Sequence, residues 1–478
     1  MKGKGVAKNF VYNTLYQMLI LITPLITMPY VSRVLGADGI GVYSYTQSIA
    51  TYFMLLGAAG TTLYGQREIA YVQLNPLKRT EVFWEIMIIR FSTVLICTSL
   101  YYSIFAINGQ YAGIHRILVF EVFATAFDVS WFFMGMENFK TTVIRGTIVK
   151  LLGIVLIFVL VKSPKDIGIY TACVTLPIFI GNISMWIGLK RYLVKSKKIS
   201  LYRIKAHIKP MLILFIPQIA IEIYTVLDKT MIGIWGTNIE QVGYYTQAQR
   251  IVKMVLLIIT SLGTVMLPTM SAAYAQGRHI EIVNSIIMAL KFVFMIGFPL
   301  FFGLIAISDR FVPLFFGEGY DLVIPLIIVI SPILILIGIS NMIGKQFLLP
   351  TKQQGVFTKS IVVGACTNCI FNVILINFYD AIGASIATII AEMAVTVIQM
   401  YYVREQLPLR KCINPFIRYM IQGFIMFIIV CNVGKILPEG ILSLGIMILI
   451  GMVTYFLELI ITKDELIRYG CKIIKNKR

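Results

Sequence analysis

Two stretches 200 positions apart decide the fold: GADGIGVYSYTQSIATYFMLL at 36–56 and GTNIEQVGYYTQAQRIVKMVL at 236–256. Gly36, Val42, Tyr45, Thr46, Gln47, Met54 and Leu56 recur as Gly236, Val242, Tyr245, Thr246, Gln247, Met254 and Leu256, and Asp38 meets Asn238. Apolar composition reproduces Leu and Met by chance. It rarely reproduces an ungapped Tyr-Thr-Gln where a loop enters a helix. A fainter echo pairs Ile167-Gly168 with Ile382-Gly383. The chain therefore reads as an internal repeat.

Outward from these stretches the chain is apolar throughout. Of 478 residues, 58% are hydrophobic and 13% charged, about half the charged fraction of a soluble domain. A secreted disulfide scaffold, a disordered chain and a cytosolic enzyme all fit poorly. Fourteen runs of helix length read as membrane spans: 10–34, 42–64, 82–107, 117–136, 141–162, 167–189, 211–236, 242–267, 284–307, 322–344, 357–378, 380–402, 416–437 and 440–461. The first follows Lys2, Lys4 and Lys8 and exceeds twenty residues, so it reads as a retained span. The longest segment between spans, 190–210, leaves no room for a soluble domain.

The expected fold is an all-α integral membrane protein of about 14 transmembrane helices. The repeat offset covers six spans, an even number, so both copies cross in the same direction. An N-lobe (1–189, helices 1–6) and a parallel C-lobe (211–405, helices 7–12) follow, joined by a basic linker (190–210). Helices 13–14 and a basic C-tail (406–478) are an appendage. Repeats of this kind belong to carriers that bind near midplane between lobes and rock one lobe against the other. Duplication without transport is the other reading.

The net charge of +20 has a topological explanation. Of the 42 Lys and Arg, 30 lie in loops and flanks on one side, 6 on the other and 6 within spans. That asymmetry places both termini in the cytoplasm and removes the need for a nucleic-acid partner. Cys366 and Cys369 have CxxC spacing but sit inside an apolar run with no second ligand pair, which favours small apolar packing. His115, His207 and His279 are scattered near span ends and lend no support to a metal or triad site. Neither a cofactor nor a metal is expected.

The basic residues within spans are Arg90, Lys150, Lys229, Arg250, Lys253 and Lys291. Charge at membrane depth costs on the order of 3 kcal/mol, so it faces a cavity or a partner. Acidic partners are at hand in Glu85, Glu121, Asp128, Glu222 and Asp228, leaving structural ion pairs open for part of the set. Polar stripes run at helical spacing through several spans. They are Asn13, Gln17 and Thr27; Ser44, Gln47 or Ser48, and Thr51; Glu121 with Asp128; Glu222, Thr225 and Lys229; Gln247, Arg250 and Lys253; and Ser385, Thr388, Glu392, Thr396 and Gln399. Hydroxyl stripes also serve helix packing, and Arg145 and Lys253 can snorkel to an interface. Pro24, Pro29, Pro217, Pro325 and Pro332 interrupt spans as static kinks or as hinges. A slight cationic excess suits an anionic substrate.

Four motifs carry a resemblance. They are Arg33-Val-Leu-Gly36 with Gly41-Val-Tyr43; Tyr64-Gly-Gln-Arg-Glu-Ile-Ala70; Asp128-Val-Ser-Trp-Phe-Phe-Met-Gly-Met-Glu137; and Leu227-Asp-Lys-Thr-Met-Ile-Gly233. Essentially end to end, the chain resembles bacterial polysaccharide repeat-unit flippases of the Wzx type. These belong to the superfamily that also holds multidrug and lipid-linked oligosaccharide exporters. The last two motifs are the more specific. The resemblance implies a two-lobed twelve-helix core plus two helices, in a bacterial inner membrane. Its cargo would be O-antigen, capsule or exopolysaccharide units on undecaprenyl diphosphate, flipped outward. The family pattern matches at Arg33, Asp128, Glu137, Asp228 and Lys229.

A diphosphate–sugar headgroup cannot shed its water in hydrocarbon without replacement partners. The expected cavity ligands are Arg33, Arg90, Lys150, Lys229, Arg250, Lys291, Gln47 and Gln247, with Arg90 and Arg250 foremost because guanidinium binds phosphate bidentately. Glu121, Asp128, Glu222, Asp228 and Glu392 are candidates for ion pairs or for coupling to a proton or sodium ion. Polysaccharide polymerase and chain-length proteins are candidate partners. The alternatives are a peptidoglycan-precursor flippase, a drug/cation antiporter, and a membrane glycan polymerase or glycosyltransferase. The antiporter reading lacks a carboxylate in the first span, and short outer loops disfavour the enzyme.

Overall fold

The structure, a computed structural model, describes residues 2–195, 200–466 and 468, and their side chains except at 2–18, 21, 201, 217, 218, 220, 221, 223, 224, 262, 264 and 265. The side chains of Asn13, Gln17 and Pro217, singled out above, thus lie outside the described residues. Fifteen α-helices follow in order among the described residues. The first eight are α1 (Lys2–Ala58), α2 (Thr61–Val72), α3 (Pro76–Tyr101), α4 (Ala112–Phe127), α5 (Ser130–Gly135), α6 (Phe139–Leu160), α7 (Ile167–Leu189) and α8 (Leu201–Trp235). Then come α9 (Glu240–Ala275), α10 (His279–Phe316), α11 (Val323–Ile330), α12 (Ile333–Ile343), α13 (Gln354–Val403), α14 (Ile413–Ile436) and α15 (Ile441–Ile461). Ten helical segments among the described residues are long and apolar enough to cross a membrane. The chain is a multi-pass, all-helical membrane protein.

Local chemistry explains where the helices bend. Gly36, at φ 68°, turns α1 between two helical arms, a backbone geometry that glycine adopts without strain. Asp380 does the same in α13 at φ 48°, where its carboxylate accepts Thr237 N–H at 2.7 Å and Thr237 Oγ1–H at 3.0 Å. The expected single helix over 117–136 is broken at Asp128, which leaves helical geometry and accepts Ser130 N–H at 3.0 Å. The expected span at 322–344 is likewise interrupted at Ser331–Pro332, because proline has no N–H to continue the ladder. Asn75 caps α3 through Lys78 N–H, with Pro76 in the first turn.

The chain forms two compact units, Met1–Ile234 with Asn238–Gly243, and Trp235–Thr237 with Tyr244–Arg478. Unit 1 has an aromatic core in which Phe83, Trp131, Phe132 and Phe133 pack with Ile69, Ile86 and Met211. Gly65 of α2 lies against the Trp131 indole, where a Cβ would overlap the ring. A second cluster gathers Val42, Ile49, Tyr101, Leu118 and Val122 around the second arm of α1. In unit 2, α10 packs along α14, with Phe294 and Phe298 edge-on to Phe416. Gly423 lets the α10 backbone approach at Phe298, the small-residue contact expected where lipid gives apolar helices no reason to associate.

Candidate functional site

In unit 1 the break after α4 is a charge centre. Asp128 presents Oδ2 to Arg90 at 3.5 Å and Oδ1 to Arg145 at 3.6 Å. Arg90 is 1% exposed. Its Nε donates to the Thr125 carbonyl at 2.7 Å, and one terminal nitrogen donates to Thr61 Oγ1 at 2.8 Å and Thr62 Oγ1 at 3.3 Å. These bonds join α2, α3 and the end of α4. Arg145 reaches Asp128 from α6 and also donates to Met185 Sδ at 3.2 Å. Three charged groups thus leave one net positive charge at the helix break.

A second polar centre links the repeat to α4 and α7. Gln47 Nε2 donates to Glu121 Oε1 at 3.0 Å, and Thr175 Oγ1 donates to Glu121 Oε2 at 3.2 Å. On α8, Thr230 Oγ1 shares hydrogen bonds with Ser48 Oγ at 2.7 Å and Tyr52 Oη at 2.9 Å. Asp228 beside it is buried, while Lys229 and Lys150 are half-buried and Arg33 is exposed. Glu222 is half-buried, and its carbonyl accepts from Thr225 Oγ1.

Unit 2 carries the repeat's second copy. Tyr245 Oη lies 3.3 Å from Thr388 Oγ1, and Gln249 Nε2 donates to Tyr245 Oη at 3.1 Å. Gln247 and Glu392 are buried. Gln399 Nε2 donates to Ser360 Oγ at 3.0 Å, and Thr396 Oγ1 to the Leu336 carbonyl at 3.1 Å. Arg250 is half-buried and makes no hydrogen bond or ion pair among the described residues. Lys291 instead donates to Glu465 Oε2 at 2.8 Å; this bond draws the Glu465 carboxyl below the usual carboxylate range.

The structure therefore brings together Arg90 with Asp128, and Gln47 with Glu121. Arg145, read from the sequence as an interfacial residue, joins the first pair. One feature had no signal in the residue pattern: an apolar cavity of about 850 Å³ in unit 2. Its walls are Val255 and Ile258 of α9, Met295, Pro299 and Leu300 of α10, Met426 and Val430 of α14, and Met447, Gly451 and Tyr455 of α15. Two helix pairs far apart in sequence, α9 with α10 and α14 with α15, supply it, so no single run announces it.

Family models match most of this framework. The one described as "Polysaccharide biosynthesis protein" covers residues 6–274, and "Lipid II flippase MurJ" covers 151–462. The chain is 22% identical over 403 residues to the "Putative O-antigen transporter" of Escherichia coli (strain K12), spanning 83% of this chain and 96% of that protein. It is 24% identical over 229 residues to the "Probable low-salt glycan biosynthesis flippase Agl15" of Haloferax volcanii, spanning 48% of this chain and 45% of that one. Among solved structures, the lipid II flippase MurJ superposes with a TM-score of 0.77 at 18% identity, over 96% of this chain and 100% of that chain. A multidrug resistance MATE family transporter of the MOP superfamily superposes with a TM-score of 0.61 at 16% identity, over 82% and 99%. At these identities the structural likenesses speak to the fold.

Proposed function

The chain belongs to the polysaccharide biosynthesis protein family, and from that premise we propose that it is a flippase for lipid-linked oligosaccharide. Its cargo is the repeat unit on undecaprenyl diphosphate, carried from the cytoplasmic to the outer leaflet of a bacterial plasma membrane. The observation that carries this reading lies on one helix. α9 holds the half-buried Arg250, which makes no hydrogen bond or ion pair among the described residues, and Ile258 on the same helix helps wall the apolar cavity. The two positions are ~12 Å apart along the axis and ~80° apart around it. An anionic head on a long apolar tail needs both environments side by side. The 22% identity to a protein named as an O-antigen transporter over 83% of the chain supports the same cargo.

In this reading the guanidinium of Arg250 takes the diphosphate, because its planar donors match phosphate oxygens and it spends none of them on the described residues. Lys229, Lys150 and Arg33 supply further positive charge, and Gln47 and Gln247 supply amides for sugar hydroxyls. Arg90 acts by holding Asp128, and Lys291 by holding the segment after α15. The sequence repeat gives the alternating lobes as 1–189 and 211–405, linked by 190–210, with 406–478 contributing the tail groove; α8 up to Ile234 packs with the first unit, which sets the working division near 234–243 instead. Two negative charges leaving an inside-negative cell gain roughly 4 to 5 kcal/mol per 100 mV. Glu121, Asp228, Glu222 and Glu392 are the carboxylates at which a proton or sodium ion would add to that drive. No bond is made or broken, so the work is that of a transporter. Polymerase and chain-length proteins would receive the product at the outer face.

The test is a flip assay in proteoliposomes with a defined undecaprenyl-diphosphate oligosaccharide. Arg250→Ala is expected to lower outward flipping at least tenfold, the ~1.4 kcal/mol or more expected from one charge-assisted phosphate contact. Unchanged flipping overturns the assignment of Arg250. Transport of peptidoglycan precursor, but not of the oligosaccharide lipid, would move the cargo to the other lipid-linked glycan.

A further inference from the structure

Unit 1 contains a proton-accepting chain that the transport reading leaves unused. Tyr64 of α2 has its Oη 2.6 Å from His207 Nδ1, and His207 Nε2 lies 3.0 Å from Glu85 Oε2. His207 stands on α8, four residues before the predicted membrane span, and Glu85 on α3. Glu85 is 2% exposed. Its other oxygen, Oε1, is sealed from solvent and accepts no hydrogen bond among the described residues, with an Arg203 terminal nitrogen 3.9 Å away. The His207 side chain is 13% exposed, so water reaches the imidazole while the carboxylate behind it stays dry.

The hydrogen-bond roles follow from the partners. A carboxylate only accepts, so Nε2–H donates to Glu85 and neutral His207 must accept the Tyr64 hydroxyl proton at Nδ1. A proton arriving from water can occupy Nδ1 if the Tyr64 hydroxyl rotates and becomes the acceptor. Both bonds survive, and the imidazolium then faces Glu85 through a charge-assisted contact. The charged residues on the neighbouring turns of the same helices are Arg67 and Glu68 of α2, Glu81 of α3, and Arg203, Lys205 and Lys209 of α8. Arg203 pairs with Glu81 at 2.6 Å and stands 3.9 Å from Glu85, whereas His207 is within hydrogen-bond range of Glu85.

Position gives the site a consequence. α8 opens the second sequence repeat, yet up to Ile234 it is packed within unit 1, and the chain after Gly243 continues into the other unit. We propose that Tyr64, His207 and Glu85 form a proton-binding site that fastens the start of α8 to α2 and α3, more tightly when loaded than when empty. Proton binding and docking of α8 favour each other, because the same Glu85 carboxylate rewards both. The site binds its proton whatever the cargo. The flippase reading supplies only the transport step that α8 would gate.

Both halves are measurable on the full-length protein in nanodiscs without substrate. Nuclear magnetic resonance of labelled histidine follows three side chains, His115, His207 and His279, with His207→Gln identifying the resonance. The His207 resonance is followed from acid to neutral pH. Glu85→Gln should lower its midpoint by removing the facing negative charge. Arg203→Gln, at the exposed edge, should raise it by removing a competing cation. Amide exchange over 200–210, corrected for the intrinsic effect of pH, should be slower at the acidic end in the native protein and lose that dependence in His207→Gln. A His207 resonance that does not respond to pH, or whose midpoint neither variant moves, overturns the site. Titration with unaltered exchange overturns the fastening. Neither result bears on flipping, so this proposal and the cargo assignment fail separately.

Discussion

Asp128 is a residue whose removal the structure makes costly. It is the counter-charge to Arg90, which is buried, and to Arg145, and it accepts the first N–H of α5. Without it a guanidinium stays sealed in the bundle uncompensated, a defect of about 3 to 5 kcal/mol where one partner of a buried pair is deleted. Asp128→Ala is expected to lower the thermal unfolding midpoint in detergent, and Asp128→Ala with Arg90→Met should recover most of the loss. Equal stability of native protein and Asp128→Ala would show that the pair does not hold the break. Sequence reading identified Arg90 and Asp128 as charges needing an explanation. Whether they bind cargo or each other is a question of distance, since they are 38 positions apart in the chain. Arg145 shows the same limit: from spacing it can snorkel, and in the fold it turns inward.

At the scale of elements, the packing of α2 depends on a glycine. A Cβ at Gly65 would overlap the Trp131 ring, itself fully buried against Phe83 and Phe132. Gly65→Val is therefore expected to destabilise the protein by about 1 to 3 kcal/mol through overpacking. Loss of thermal stability, with a blue or red shift in tryptophan fluorescence, would report it; an unchanged melting profile would show that α2 can back away. The motif Tyr64–Ala70 was legible as a motif, but its partner Trp131 belongs to another motif 66 residues on. Helix bends divide in the same way. Pro332 and Gly36 advertise their breaks by backbone chemistry. Asp380 adopts positive φ while holding Thr237, a tertiary contact that no local rule anticipates.

For the molecule as a whole, the proposed function assigns the lipid tail to the apolar cavity of unit 2. Filling it should matter in proportion to tail length. Leu300→Trp is expected to slow flipping of the full undecaprenyl lipid several-fold while sparing a short-prenyl analogue with the same diphosphate–sugar head. Equal slowing of both would place the tail elsewhere. The cavity needs the two last helices, which sequence reading had set aside as an appendage to the repeat.

The amino-acid sequence by itself determined that this is an all-helical, multi-pass membrane protein with an internal repeat and a family kinship to glycan flippases. Those features are written in local composition, in 3.6-residue periodicity and in short motifs, each of which survives without knowledge of contacts. Tertiary structure alone decided which charges are spent on one another, that α8 belongs with the first unit, and that His207 meets Glu85 across 122 positions. Low dielectric makes the pairing of buried charges energetically decisive. Pairing is a property of distances that only the folded chain creates.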